Sequence, residues 1–164
     1  MSLKTLVLIR HGKSAWSNPN LDDFDRPLKK RATHDAKLVA EAFQKVNSKQ
    51  FRAITSDAKR AFETAKMFQS HLSNIIIDLE PIYELYTFSP SNLLETILAT
   101  SPDIDELMVF GHNPAMTDVA NQLGHQFFQN IPTTGLVQLS FDVDDWSQIA
   151  EGKTQFYLFP KNLR

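Results

Sequence analysis

The sequence contains no cysteine. That excludes disulfide frameworks, zinc–thiolate sites and every cysteine nucleophile. A chain without disulfides suits a reducing compartment, and a cytoplasmic location is expected. No apolar run approaches the roughly 20 residues needed to cross a bilayer. The apolar stretch near the N-terminus is too short for a signal-peptide core and runs straight into Arg10. There is no basic stripe and no run of like charge. The formal net charge is −2, and the densest basic patch, Arg26 to Arg31, is answered by Asp22, Asp23 and Asp25 just before it. Neither a nucleic-acid partner nor a membrane surface is expected. The five histidines form no H-x-H or H-x-x-H pair, so no metal site is expected. His34, His71 and His125 carry no assignment. A Walker loop and a G-x-G-x-x-G are also missing, and no cofactor is expected. Without repeats, linkers or low-complexity segments, the 164 residues are expected to form one domain, 1–164.

What is present is a short apolar run that stops at a polar triplet. Leu6-Val7-Leu8-Ile9 reads as a strand buried on both faces, and Arg10-His11-Gly12 follows at once. In open α/β sheets, ligands bind at the carboxyl ends of the strands. From Arg10 to Arg31 no period is visible, and an ordered loop of this length is more often functional than idle. The pattern then predicts a helix over 34–47 capped by Thr33, with Ala36, Val39, Ala40, Phe43 and Val46 inward. A strand follows over 51–55. Ser56-Asp57 is expected to cap a helix with Ala58, Ala61, Phe62, Ala65, Phe68 and Leu72 inward. Ile75-Ile76-Ile77 reads as a third buried strand and 79–89 as loop. A helix begins at Ser89-Pro90, and a strand covers 107–110. Gly111-His112-Asn113-Pro114 turns into a helix ended by Gly124, and strands follow over 136–141 and 155–159. Asp142-Val143-Asp144 reads as an acidic turn. Alternation of this kind predicts a single-domain α/β three-layer sandwich, with a mostly parallel sheet and helices on both faces.

Three strand ends share a pattern. The first gives Arg10-His11-Gly12. The second leads into Ser56 and, in the first turn of a helix, Arg60. The fourth gives Gly111-His112-Asn113, again at a helix start. If these ends are neighbours, two arginines and two histidines converge beside two helix N-termini. Guanidinium forks match phosphate oxygens, and helix N-termini offer free N–H groups to the same anion. The pattern points to a phosphoryl site.

Arg10-His11-Gly12 with Ser14, the spacing of Ser56, Arg60 and Ala61, and Gly111-His112-Asn113-Pro114 together resemble the histidine phosphatase, or phosphoglycerate-mutase-like, superfamily. The short length, the Arg26-Pro27-Leu28 segment and the Gly-His-Asn-Pro turn resemble the small SixA-type phosphohistidine phosphatases within it. The resemblance implies a phosphoglycerate-mutase-like fold and a metal-independent phosphatase with a phosphohistidine intermediate. It implies that His11 is the nucleophile, that Arg10 and Arg60 clamp the phosphoryl oxygens, and that His112 is the second pocket histidine. Gly12 lets the backbone pass close to the phosphate and Ser14 adds a hydroxyl contact. Glu84 matches by position the general acid of larger relatives, with Asp22 and Asp23 as competitors. The implied substrate is a phosphorylated protein carrying phosphohistidine. A small-molecule phosphatase or mutase and a non-catalytic phosphate-binding module are the alternatives, and the oligomeric state is left open. Two departures, Ser17 where larger members carry asparagine and Ala32 where the family has glycine, are placed at the pocket rim.

Overall fold

The computed structural model describes residues 3–16 and 18–164. Ser17 therefore lies outside the described residues. Strand β1 (Lys4–Arg10) is followed by a long loop holding a 3₁₀ turn at Asp23–Asp25, then α1 (Lys30–Val46), β2 (Phe51–Ser56), α2 (Lys59–His71) and β3 (Ile76–Ile82). After a 3₁₀ turn at Tyr83–Leu85 come α3 (Pro90–Leu98), β4 (Glu106–Gly111), α4 (Ala115–Leu123), β5 (Leu136–Phe141) and β6 (Lys153–Leu158). These strands form one six-stranded sheet in the order β3-β2-β4-β1-β5-β6. The β1–β4, β2–β4 and β2–β3 pairs are parallel, and only β5 runs against its neighbours.

The central strand is buried on both faces, as its apolar run requires. Val7 and Ile9 pack with α1 and α2 residues such as Ala36, Phe43, Ala65 and Phe68. Leu6 and Leu8 pack on the other face with Leu93, Ile97, Met116 and Val119 of α3 and α4. Period-two alternation along β1 thus serves two cores at once. The result is the expected three-layer α/β sandwich. Among the described residues, no helix is long and apolar enough to cross a membrane.

Three local expectations are corrected. Helix α1 starts at Lys30 rather than 34, and its N-cap Lys29 makes no side-chain capping bond. Its start is set from outside the helix: Lys29 N–H donates to Lys13 O, and Ser14 bridges Leu28. Thr33 accordingly lies inside the helix. Val46, expected inward, is the exposed last residue of that helix. Strand β3 begins at Ile76 and extends to Ile82, into the segment read as loop. It is an edge strand whose side chains are mostly exposed, which also explains how Pro81 is tolerated in it.

Register places the site. Arg10 pairs with Gly111 across β1–β4, and Thr55 with Phe110 across β2–β4. Strands β1, β2 and β4 therefore end side by side, and the residues just after β1 and β4, with the first turn of α2 that follows β2, enter the same space.

Candidate active site

His11 leaves β1 into this space and is 8% exposed. Its Nδ1–H donates to its neighbour's carbonyl, Gly12 O, at 2.7 Å. That bond fixes the tautomer and leaves the lone pair on Nε2, where it accepts a long bond from Arg60 Nε. Burial first, then the charges of Arg60, Arg10 and Arg26, push the ring's pKa down to about 3, against the Gly12 bond that raises it. The imidazole is therefore neutral.

His112 leaves β4 beside it, with the ring centroids 5.2 Å apart. Here Nε2 is engaged, 2.8 Å from Ser56 Oγ at the end of β2. The Ser56 hydroxyl accepts Ala58 N–H and has no other acceptor for its own proton among the described residues, so donation to His112 Nε2 is the arrangement that leaves the fewest buried groups unpaired. A neutral ring accepting at Nε2 carries its proton on Nδ1. That Nδ1 is buried and has no partner among the described residues. Burial, then His11 and Arg60, also bring this ring down to about 3.

Arg60, in the first turn of α2, is one of the largest fully buried side chains. Its Nε lies 3.4 Å from His11 Nε2. Its two terminal nitrogens are held by Asp23, Nη1 on the carbonyl at 2.6 Å and Nη2 on Oδ2 at 2.9 Å. Arg10 donates through Nη1 to Ile131 O at 2.9 Å, while its Nε is buried without a partner. Ser14 is buried, and its hydroxyl oxygen accepts from Arg26 Nη2.

Gly12 sits at the crowded centre. A Cβ there would lie 2.8 Å from Ala32 Cβ and 3.3 Å from Thr134 Oγ1. Its N–H donates to Thr64 Oγ1, whose hydroxyl donates in turn to Arg60 O. Ala32 is fully buried against Gly12 and is not at a rim, because α1 begins early enough to bring its first turn behind the β1 end.

Comparison with known proteins points to one family. The model of the histidine phosphatase superfamily, branch 1, matches residues 6–86, just under half of the chain, and over that span the chain is similar to this superfamily. A chloroplastic protein of Arabidopsis thaliana is 30% identical over 128 residues, covering 73% of this chain. The chain spans 59% of the length of that relative. A SixA-type candidate phosphohistidine phosphatase from Agrobacterium tumefaciens is 26% identical, with a TM-score of 0.77 over 94% of this chain and 97% of that one. The protein histidine phosphatase SixA complexed with tungstate shares the fold, with a TM-score of 0.81 at 20% identity over 98% of this chain and 99% of that one.

The fold thus brings together His11, His112, Arg10, Arg60, Gly12 and Ser14, gathered from three strand ends. Glu84 stands apart. It is exposed in the 3₁₀ turn after β3 and lines a neighbouring groove of about 830 Å³ with Glu80 and Glu95. No hydrogen bond or ion pair joins it to His11, His112, Arg10 or Arg60 among the described residues. The carboxylate that does reach Arg60 is Asp23. Hydrogen bonds from Tyr86, Arg60 and Arg26 outweigh its partial burial and hold it down at about 2, fully ionised. Arg26 was the cation that sequence reasoning missed. It donates to Asp23 Oδ1 at 3.1 Å as well as to Ser14, and stacks over Trp16. The i,i+3 spacing of Asp23 and Arg26 was the available signal.

Proposed function

We propose that this protein is a phosphatase that removes phosphoryl groups from histidine on a partner protein, through a covalent intermediate on His11. The observation that carries the reading is a pair of unmet nitrogens beside His11. Arg10 Nε and His112 Nδ1 are buried without partners among the described residues. Arg60 Nε donates to His11 Nε2 over a long 3.4 Å. Buried polar groups are seldom left unpaired, and a phosphoryl group would satisfy the two nitrogens and take over the Arg60 Nε donor as the His11 lone pair turns to phosphorus.

In the first step His11 Nε2 attacks phosphorus and the bond to the leaving nitrogen breaks, its electron pair returning to the substrate ring. Arg10, Arg60 and the His112 Nδ1–H bind the equatorial oxygens, where charge resides in a loose transition state. In the second step water attacks phosphorus, the pair returns to His11 Nε2, and the water's proton leaves with phosphate or solvent. Guanidinium groups supply the charge, and the reaction as proposed uses no metal.

A phosphohistidine substrate fits what surrounds the seat. An imidazole protonated on its far nitrogen leaves as a neutral ring and needs no acid from the protein. Glu84 is exposed, and Asp23 is ionised by its partners. The loops flanking the seat carry Trp16, Tyr83 and Phe88, 73%, 68% and 47% exposed, as a protein-facing rim would. The likeness to the SixA-type structure supports the same choice.

The test is a quench in alkaline detergent after brief exposure to labelled phosphoramidate, with the trapped label then challenged separately in acid and in base. Base-stable, acid-labile label on the wild type, absent from His11→Ala, is the expected result. No label on the wild type overturns the covalent route. Faster turnover of phosphosugars than of a phosphorylated histidine protein overturns the substrate class.

A further inference from the structure

We infer that Asp23 is a positioning residue for phosphoryl transfer, holding the outer edge of the Arg60 guanidinium so that its inner edge faces His11. The inference rests on the proposed phosphoryl seat but concerns a residue outside it.

A guanidinium offers two usable forks. One is the end fork, formed by Nη1 and Nη2. The other is the side fork, formed by Nε and Nη2. Asp23 takes the end fork completely, with its carbonyl on Nη1 and its Oδ2 on Nη2. The side fork remains, and its Nε lies 3.4 Å from His11 Nε2. The carboxylate therefore does not occupy the place of the phosphoryl group. It fixes the plane of the side chain that meets it.

Asp23 is itself held from two directions. Tyr86 O–H donates to the same Oδ2 at 2.6 Å, from the segment between β3 and α3. Arg26 Nη1 donates to Oδ1 at 3.1 Å and, through Nη2, ties Ser14 to the same group. Phe24 packs edge-on against Tyr86, and Tyr86 against His112, so the brace is continuous with the wall of the seat. A carboxylate with three donors upon it is a poor proton donor and a good anchor. Its partners also offset charge: with Arg10, Arg26 and Arg60 close together, one fixed anion lowers the mutual repulsion of the cations before substrate arrives.

The chemical gain is preorganisation. A free arginine side chain samples many rotamers, and a prepaid geometry removes that entropic cost from the binding step. The brace also joins two loops of separate origin, so the outer edge of Arg60 is defined only when both are in place.

The test is a double-mutant cycle read by equilibrium binding of inorganic phosphate, which requires no turnover. Asp23→Asn is expected to weaken phosphate binding about tenfold in the wild-type background and not at all in Arg60→Ala. Tyr86→Phe is expected to weaken it less, and in the same background-dependent way. Equal losses in both backgrounds would show a merely structural role and overturn the inference. Tighter phosphate binding in Asp23→Asn would show that Asp23 competes for the seat, and would overturn it as well. If the label at His11 is absent but the cycle is non-additive, the positioning role stands and the covalent route falls.

Discussion

The ends of β1 and β4 lie side by side, each delivers one histidine, and the two rings are used in opposite senses. Both are buried and both are held neutral. His11 spends its N–H on its neighbour's carbonyl and turns its lone pair toward Arg60 Nε. His112 spends its lone pair on the Ser56 hydroxyl and shows its N–H. A backbone acceptor next to one ring and a hydroxyl donor next to the other leave a lone pair facing the site from one side chain and an N–H from its twin. The difference teaches that chemistry here is assigned by the partner of the hidden nitrogen.

That contrast can be broken in order of size. His112→Ala should lower kcat by about 10²–10³-fold, the usual cost of losing one preorganised donor to developing charge, while still allowing label to form on His11. Loss of all labelling would mean that the second ring shares the nucleophile's task.

The shared neutrality should appear as a pH dependence of folding. Each ring has a folded pKa of about 3 against the ordinary imidazole value of 6.5. The unfolded chain therefore binds more protons between those values, and stability must fall as pH drops below about 6.5. The slope is at most about 1.4 kcal/mol per pH unit for each ring. Asp23, lowered to about 2, acts only below its ordinary 3.8, where the stability it contributes is lost as pH falls. Denaturant unfolding at pH 5 to 7 should show a slope that His112→Gln roughly halves. An unchanged slope would show that the ring is not buried neutral.

Ser56→Ala should cost about tenfold in kcat, and about 1–3 kcal/mol of stability, by leaving a buried ring nitrogen without its donor. Nitrogen chemical shifts of His112 would report the loss of a fixed tautomer. The smallest effect is expected at a carboxylate outside the pair. Glu84→Gln should leave phosphohistidine turnover within about twofold while lowering hydrolysis of alkyl phosphates, whose leaving groups need a proton. Equal losses on both substrates would return Glu84 to the reaction.

The convergence of Arg10, His11, Arg60 and His112 was legible in the sequence because each sits just beyond an apolar strand or in the turn that follows one. Strand β5 was legible to the residue for a similar reason, having clean boundaries and a buried face. Helix α1 was not, because Lys30 to Thr33 are held helical by the loop folded against them rather than by a cap. Strand β3 was misplaced because an edge strand exposed on much of its length carries little apolar pattern. Asp23 was visible only as one acid among several. Its bond to Arg60 spans 37 residues, and no local pattern encodes such a pairing.

The position of β4 has a consequence for how the protein is made. The two strands that deliver His11 and lead into Arg60 never touch; β4 lies between them. A growing chain that has emerged only as far as β3 holds His11, Arg10, Arg60 and Asp23, yet has nothing to set the distance between β1 and β2. Residues 106–111 set that spacing and bring His112 in the same strand, so the arrangement of the site waits on completion of the sheet.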